Sequence, residues 1–136
     1  MKTKIILLTL GLIVLLSSCE QAPSKAAIIA KKGMVKVIIL YPNSEGKTFN
    51  MDYYANKHMP MIAHVMGDAL QCYTIDKGIS GRTADDPIPY LAIGYLYFNK
   101  LSDYRNAFPP NAKKIVGDVP NYTNIQPIVQ ISEVME

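Results

Sequence analysis

Residues Tyr90–Phe98 read YLAIGYLYF, nine residues without a charge. The run is rich in aromatic and β-branched types and follows the loop cluster of Lys77–Pro89, so it is expected to be a strand. Side chains alternate along a strand, which puts Tyr90, Ala92, Gly94, Leu96 and Phe98 on one face. Leu91, Ile93, Tyr95 and Tyr97 take the other, and it too is apolar. A sheet holding this strand cannot leave either face to water without exposing a large hydrophobic patch. If helices cover one face, the second needs another cover, and a second copy of the same domain is the simplest source. A homodimer is therefore expected.

The surrounding chain fills in that sheet. Val35–Tyr41 (VKVIILY) is β-branched and stops at the loop residues Pro42-Asn43-Ser44-Glu45-Gly46, as a strand would. Phe49–Ala69 follows a helical period, with Met51, Tyr54, Ala55, His58, Ile62, Val65 and Met66 on one face. Pro60 interrupts it and predicts two helical segments meeting near His58–Pro60. Leu70–Asp76 is expected to be a strand, and Leu101–Gly117 a helical region broken at Pro109-Pro110. Ile125–Val134 closes the chain as the fourth strand. The order β-α-β-β-α-β predicts an α+β, ferredoxin-like domain with a four-stranded antiparallel sheet and its helices on one face.

The first eighteen residues belong to a different kind of segment. Lys2 and Lys4 precede the apolar run Ile5–Leu16 and then small residues, the pattern of an export signal. Twelve apolar residues fall short of the ~20 that span a bilayer as a helix. The junction Leu16-Ser17-Ser18-Cys19 resembles the lipobox of bacterial lipoproteins, which implies lipidation at Cys19 and a location outside the cytoplasm, on a membrane. Residues 1–18 are thus expected to be a signal peptide, 19–33 a lipidated tether and 34–136 the folded domain. Without the signal, 12 bases face 11 acids, so no basic field favours nucleic acid. Lipidation of Cys19 would leave Cys72 without an intrachain disulfide partner, so the core or a partner subunit must stabilise the domain.

Tyr41-Pro42, Phe49, Tyr53-Tyr54 and Lys57-His58-Met59-Pro60 together resemble the N-terminal signature of the EthD family, named for an ethyl tert-butyl ether degradation protein. Asp118-Val119-Pro120-Asn121-Tyr122-Thr123-Asn124, continuing to Pro127 and Gln130, is similar to the family's second signature. The resemblance implies a dimeric α/β barrel with a cavity in each half. It also implies a reductase-like or oxidoreductase activity; fold relatives include lactone isomerases, cofactor-independent monooxygenases and haem-handling proteins. The export signal is a departure from a mostly intracellular family.

The chain's own chemistry is sparse. No G-x-G-x-x-G follows a strand, and the Gly78–Gly81 run fails G-x-S-x-G by one position. No cofactor site is expected. His58 and His64 lie six residues apart and diverge on a helix, and no carboxylate set joins them, so no metal site is expected either. His58 is the candidate acid/base: it falls in register with the apolar stripe, beside the proline break, at the family's H-x-P position. A neutral imidazole there can accept or donate a proton near pH 7. Tyr41, Tyr54, Tyr95, Tyr97 and Tyr122 are candidate binding residues, since phenols line a pocket for a small, mostly apolar ligand. For Tyr95 and Tyr97, packing at a dimer interface is an equal alternative. The same pocket could bind a ligand, haem included, without turnover. Cys19→Ala is expected to leave unprocessed or soluble precursor, which membrane fractionation checks.

Overall fold

The computed structural model describes residues 30–136. The expected export signal, the candidate lipidation residue Cys19 and most of the expected tether lie outside them. Four strands, β1 (Val35–Pro42), β2 (Cys72–Lys77), β3 (Tyr90–Phe98) and β4 (Ile128–Glu133), form one sheet in the order β2-β3-β1-β4. Every neighbouring pair is antiparallel. Helices α1 (Met51–Tyr53), α2 (Met59–Met66) and α3 (Leu101–Asp118) supply the second layer. This is the ferredoxin-like α+β order expected, and β3 has the expected ends.

The register explains the core. Val37 faces Leu96, Ile39 faces Gly94 and Tyr41 faces Ala92 across β1 and β3, so these side chains share the helix-facing side. Val37, Tyr41, Ala92, Leu96 and Phe98 are all nearly solvent-free and meet Met59, Ile62 and Ile115 from the helices. Among the described residues no helix covers the opposite side. Leu91, Ile93, Tyr95 and Tyr97 stand there beside Ile38 and Leu40, half-buried, with Ile128 exposed at the β4 margin.

Both proline expectations meet a local adjustment. At Pro60 the two helical segments do meet, but through a π-helical turn, Tyr54–His58, rather than a break. The Met59 N–H reaches the Tyr54 carbonyl five residues back, and this wider turn removes the crowding that Pro60 imposes on an ordinary α turn. The expected break at Pro109-Pro110 does not occur, and α3 runs through both. The carbonyls deprived of a partner belong to Arg105 and Asn106, both exposed residues on the solvent side of the helix, where water can serve them. Asn111 also donates its side-chain amide to the Ala107 carbonyl at 2.9 Å and to the Val65 carbonyl at 3.1 Å. That second bond ties α3 to α2.

Gly94 marks the tightest approach of helix to sheet. A Cβ added there would overlap the Tyr54 hydroxyl, whereas the ring carbon bearing that hydroxyl would be at 3.4 Å, an ordinary contact. The hydroxyl itself is buried and has no hydrogen-bond partner among the described residues. Gly94→Ala is therefore expected to destabilise the domain by about 1–3 kcal/mol through overpacking. Adding Tyr54→Phe should recover most of it, since the overlapping atom is gone. Tyr54→Phe alone should be neutral or stabilising, because it removes an unsatisfied polar group. Denaturant melts of the three variants check the cycle.

Candidate active site

His58 ends the π turn and is 2% exposed. Its Nδ1 lies 2.7 Å from Asp118 Oδ2, at the last residue of α3. Its Nε2 lies 3.2 Å from the Tyr122 hydroxyl, which in turn is 2.8 Å from the hydroxyl of Tyr41 at the end of β1. Four side chains from three parts of the chain thus form one hydrogen-bonded row. An ionised Asp118 only accepts, so Nδ1 carries the imidazole proton and Nε2 is left with its lone pair. Tyr122 then donates to Nε2, and Tyr41 donates to the Tyr122 oxygen.

Local sequence holds the row in place. Asn50 caps α1 by accepting from the Tyr53 amide at 3.0 Å, while its own N–H donates to the Tyr122 carbonyl at 2.7 Å. Asp-Val-Pro-Asn-Tyr ends α3 in a short 3-10 turn, Val119–Asn121, opened by Pro120. The Asn121 amide returns to Asp118 Oδ1 at 2.8 Å, and the Tyr53 hydroxyl donates to the same oxygen at 2.9 Å. A single bridge pairs Phe49 with Thr123 and keeps the two loops together.

Burial and hydrogen bonding pull the titrations apart. Burial lowers the His58 pKa more strongly than Asp118 raises it, so the ring is neutral near pH 7. Burial alone would raise Asp118, but hydrogen bonds from His58, Asn121 and Tyr53 outweigh it and hold the carboxyl below its ordinary value. Tyr41 and Tyr122 are pushed well above the usual phenol range, chiefly by burial, and stay protonated.

His58, Tyr41 and Tyr122 face a cavity of about 100 Å³ between the helices and the sheet. Tyr41, His58, Tyr104 and Tyr122 are its polar members; Val37, Ile62, Leu96, Phe108 and Ile115 are among the apolar ones. Its rim includes Val116 and Val129, 59% and 52% exposed. His58, Tyr41 and Tyr122 are brought together as candidates. Tyr54 lies behind the wall, with its ring stacked on His58 at 5.6 Å. Tyr95 and Tyr97 stand on the uncovered sheet face, away from this cavity. His64 is exposed, and Cys72 is half-buried on the same sheet face as Tyr97. Among the described residues no cluster of three His, Cys, Asp or Glu could hold a metal ion.

Sequence reasoning missed Asp118, Tyr53, Asn121 and Tyr104. Asp118 was visible only as the first residue of the second signature. Its partner is 60 positions away, a separation that no local period reports.

A four-stranded antiparallel sheet backed by helices, with a tyrosine–histidine–aspartate row between the layers, defines a ferredoxin-like α+β domain with an internal site. The model of the EthD domain matches residues 46–126, and the chain belongs to the EthD family. A crystal structure of an EthD-like protein from Ralstonia eutropha JMP134 is 36% identical, with a TM-score of 0.74. The match covers 78% of this chain and 96% of that one. An EthD family protein from Bacillus halodurans C-125 is 18% identical over 75% of this chain and 99% of its own, with a TM-score of 0.53, and shares the fold. No curated protein sequence matches the chain.

The pKa directions set a pH dependence. A histidine that resists protonation when folded binds its proton more readily unfolded, so stability falls as pH drops below the unfolded value of 6.5. Asp118, held below its unfolded 3.8, adds a second loss at lower pH. Melting temperatures followed from pH 8 downward are expected to decline from about pH 6.5. In His58→Gln the first decline should disappear while the acid-limb loss persists.

Proposed function

We propose that this domain is an enzyme that moves a proton on a small, mostly apolar organic molecule held between its helices and sheet, with His58 as acid/base. One observation carries the reading: a neutral imidazole has Nδ1 anchored on a carboxylate and Nε2 turned toward an apolar cavity through a phenol. Removing a ligand proton needs a base whose lone pair is aimed and whose charged form is stabilised. Nε2 is aimed by the Asp118 bond, and Asp118 stabilises the imidazolium that forms. The Tyr122 hydroxyl either yields its place on Nε2 to the ligand or relays the proton. Tyr41 and Tyr122, protonated at all ordinary pH values, can donate to an oxygen that gains charge. Their low-dielectric surroundings strengthen that contact.

The cavity is smaller than the ~300–1,000 Å³ of typical drug-sized ligand sites, which favours a compact substrate such as a lactone or a simple phenol. Family membership supports an enzymatic role, and an oxidoreductase within this fold would use the same row to steer protons. The second reading is a binding module without turnover, supported by the mostly apolar lining. Haem bound through His58 would have to displace Tyr122 from Nε2.

The assembly belongs to the proposal. The uncovered sheet face, with Ile38, Leu40, Ile93, Tyr95 and Tyr97 at its centre, supports a homodimer joined sheet to sheet, where Tyr95 and Tyr97 act as interface residues. A lipid on Cys19 would hold this dimer at a membrane outside the cytoplasm. Light scattering of residues 34–136 is expected to give the dimer mass; a stable monomer at micromolar concentration overturns that part.

For the chemistry, small lactones, ketones and phenols are incubated with the protein in D2O and followed by NMR. Wild type is expected to exchange a carbon-bound proton of at least one compound, and His58→Gln to lose that exchange by about 100-fold or more while its fold is retained. Binding in the cavity without exchange, across the series, would replace the enzyme with the binding module.

A further inference from the structure

His58 is the wall between two spaces. Inside is the apolar cavity. Outside, between α2 and α3, lies a broad open groove lined by Met61, Pro110, Lys113, Lys114, Gly117 and Asp118, with Asn121 at its end. The His58 side chain is 3% exposed, whereas that of Asp118 is 20% exposed. One carboxylate therefore holds the buried ring and touches water on the far side of the wall.

We infer that the His58–Asp118 pair conducts protons through this wall, so that the site exchanges protons with solvent at the outer groove rather than through the ligand's cavity. The inference rests on the acid/base reading of His58. The step balances without a further reactant: the Nε2 lone pair takes a proton from the ligand, and the Nδ1–H proton passes to Asp118 Oδ2. Asp118 then releases that proton to water or a dissolved base in the groove. The ring is left neutral with its proton on Nε2, ready to return it to the ligand while Nδ1 is refilled by the reverse route. An apolar cavity is a poor place to solvate a leaving proton, and a carboxylate at a wet surface is a good one.

The groups facing Asp118 fit this task. Tyr53 from α1 and Asn121 both donate to Oδ1, which leaves Oδ2 for His58 and fixes the carboxylate plane. Lys113 and Lys114 of α3 line the groove and favour an anionic base there over a cationic one. His58 and Tyr122 complete its ionisable surroundings on the inner side.

The test reads proton traffic and needs no substrate. Exchange of the His58 Nδ1–H with water is measured by NMR saturation transfer on the protein near pH 6, where a fraction of the rings carries both protons and can release the one on Nδ1 without becoming an anion, with phosphate added as the small base. The rate is expected to rise with phosphate and to stay unchanged when xenon fills the apolar cavity. Gly117→Leu places a side chain in the groove: no atom lies within 4 Å of a Cβ there, and leucine favours the helix. It is expected to slow exchange by roughly tenfold or more, the scale on which a positioned acid–base partner acts. Asp118→Asn, whose amide cannot carry the proton away, should slow exchange in the same way. Exchange that xenon suppresses and Gly117→Leu leaves alone would put the route through the cavity and overturn the inference. Exchange indifferent to both would assign it to local opening and overturn it equally. A failed carbon-exchange series alongside an intact groove effect would instead count against the enzyme reading alone.

Discussion

The hydrogen bond between His58 Nδ1 and Asp118 Oδ2 joins the first helical run to the end of the last one. Nothing else in the site is independent of it. It selects the imidazole tautomer, which decides that Nε2 accepts, which makes Tyr122 a donor and orients Tyr41 behind it. It also offsets part of the cost of burying the imidazole, whose Nδ1–H would otherwise lack a partner. Tyr53 and Asn121 extend the arrangement to α1 and to the turn after α3. Every element that borders the cavity from the helical side is thus tied, directly or through one neighbour, to a single carboxylate.

The sheet was legible because its signals are local. Alternation in Tyr90–Phe98 reported a strand buried on one face and apolar on the other, and the β1 run stopped at loop residues that allow few alternatives. The helices were harder. Prolines 60, 109 and 110 are strong local signals, yet each was absorbed: one by a wider turn that relieves its ring, two by exposed carbonyls that water can serve. Whether a freed carbonyl faces solvent is a tertiary fact, invisible to a helix-period argument.

The site divides in the same way. His58 stood out because a polar residue interrupted an apolar stripe beside a proline. Tyr41, Tyr54, Tyr95, Tyr97 and Tyr122 were gathered together by residue type; Tyr41 and Tyr122 reach the cavity, Tyr54 lies behind its wall, and Tyr95 and Tyr97 sit on the other sheet face. Asp118 carries as much of the geometry as His58, but a carboxylate near a helix end is ordinary until the fold brings a ring to it. Residue type finds groups that are rare in their surroundings, and only topology finds their partners.

The π turn at Tyr54–His58 makes chain length itself a constraint. Each residue in an ordinary helix advances about 100° around the axis. The turn holds one residue more than that geometry would, with Asn50 capping one end and Met59 packed in the core at the other. Losing a single residue between 54 and 57 would tighten the turn into an α-helix and swing one end by that same angle. The imidazole would then leave the carboxylate, or the cap would leave its loop. A residue added in a loop such as 78–89 would rotate neither end.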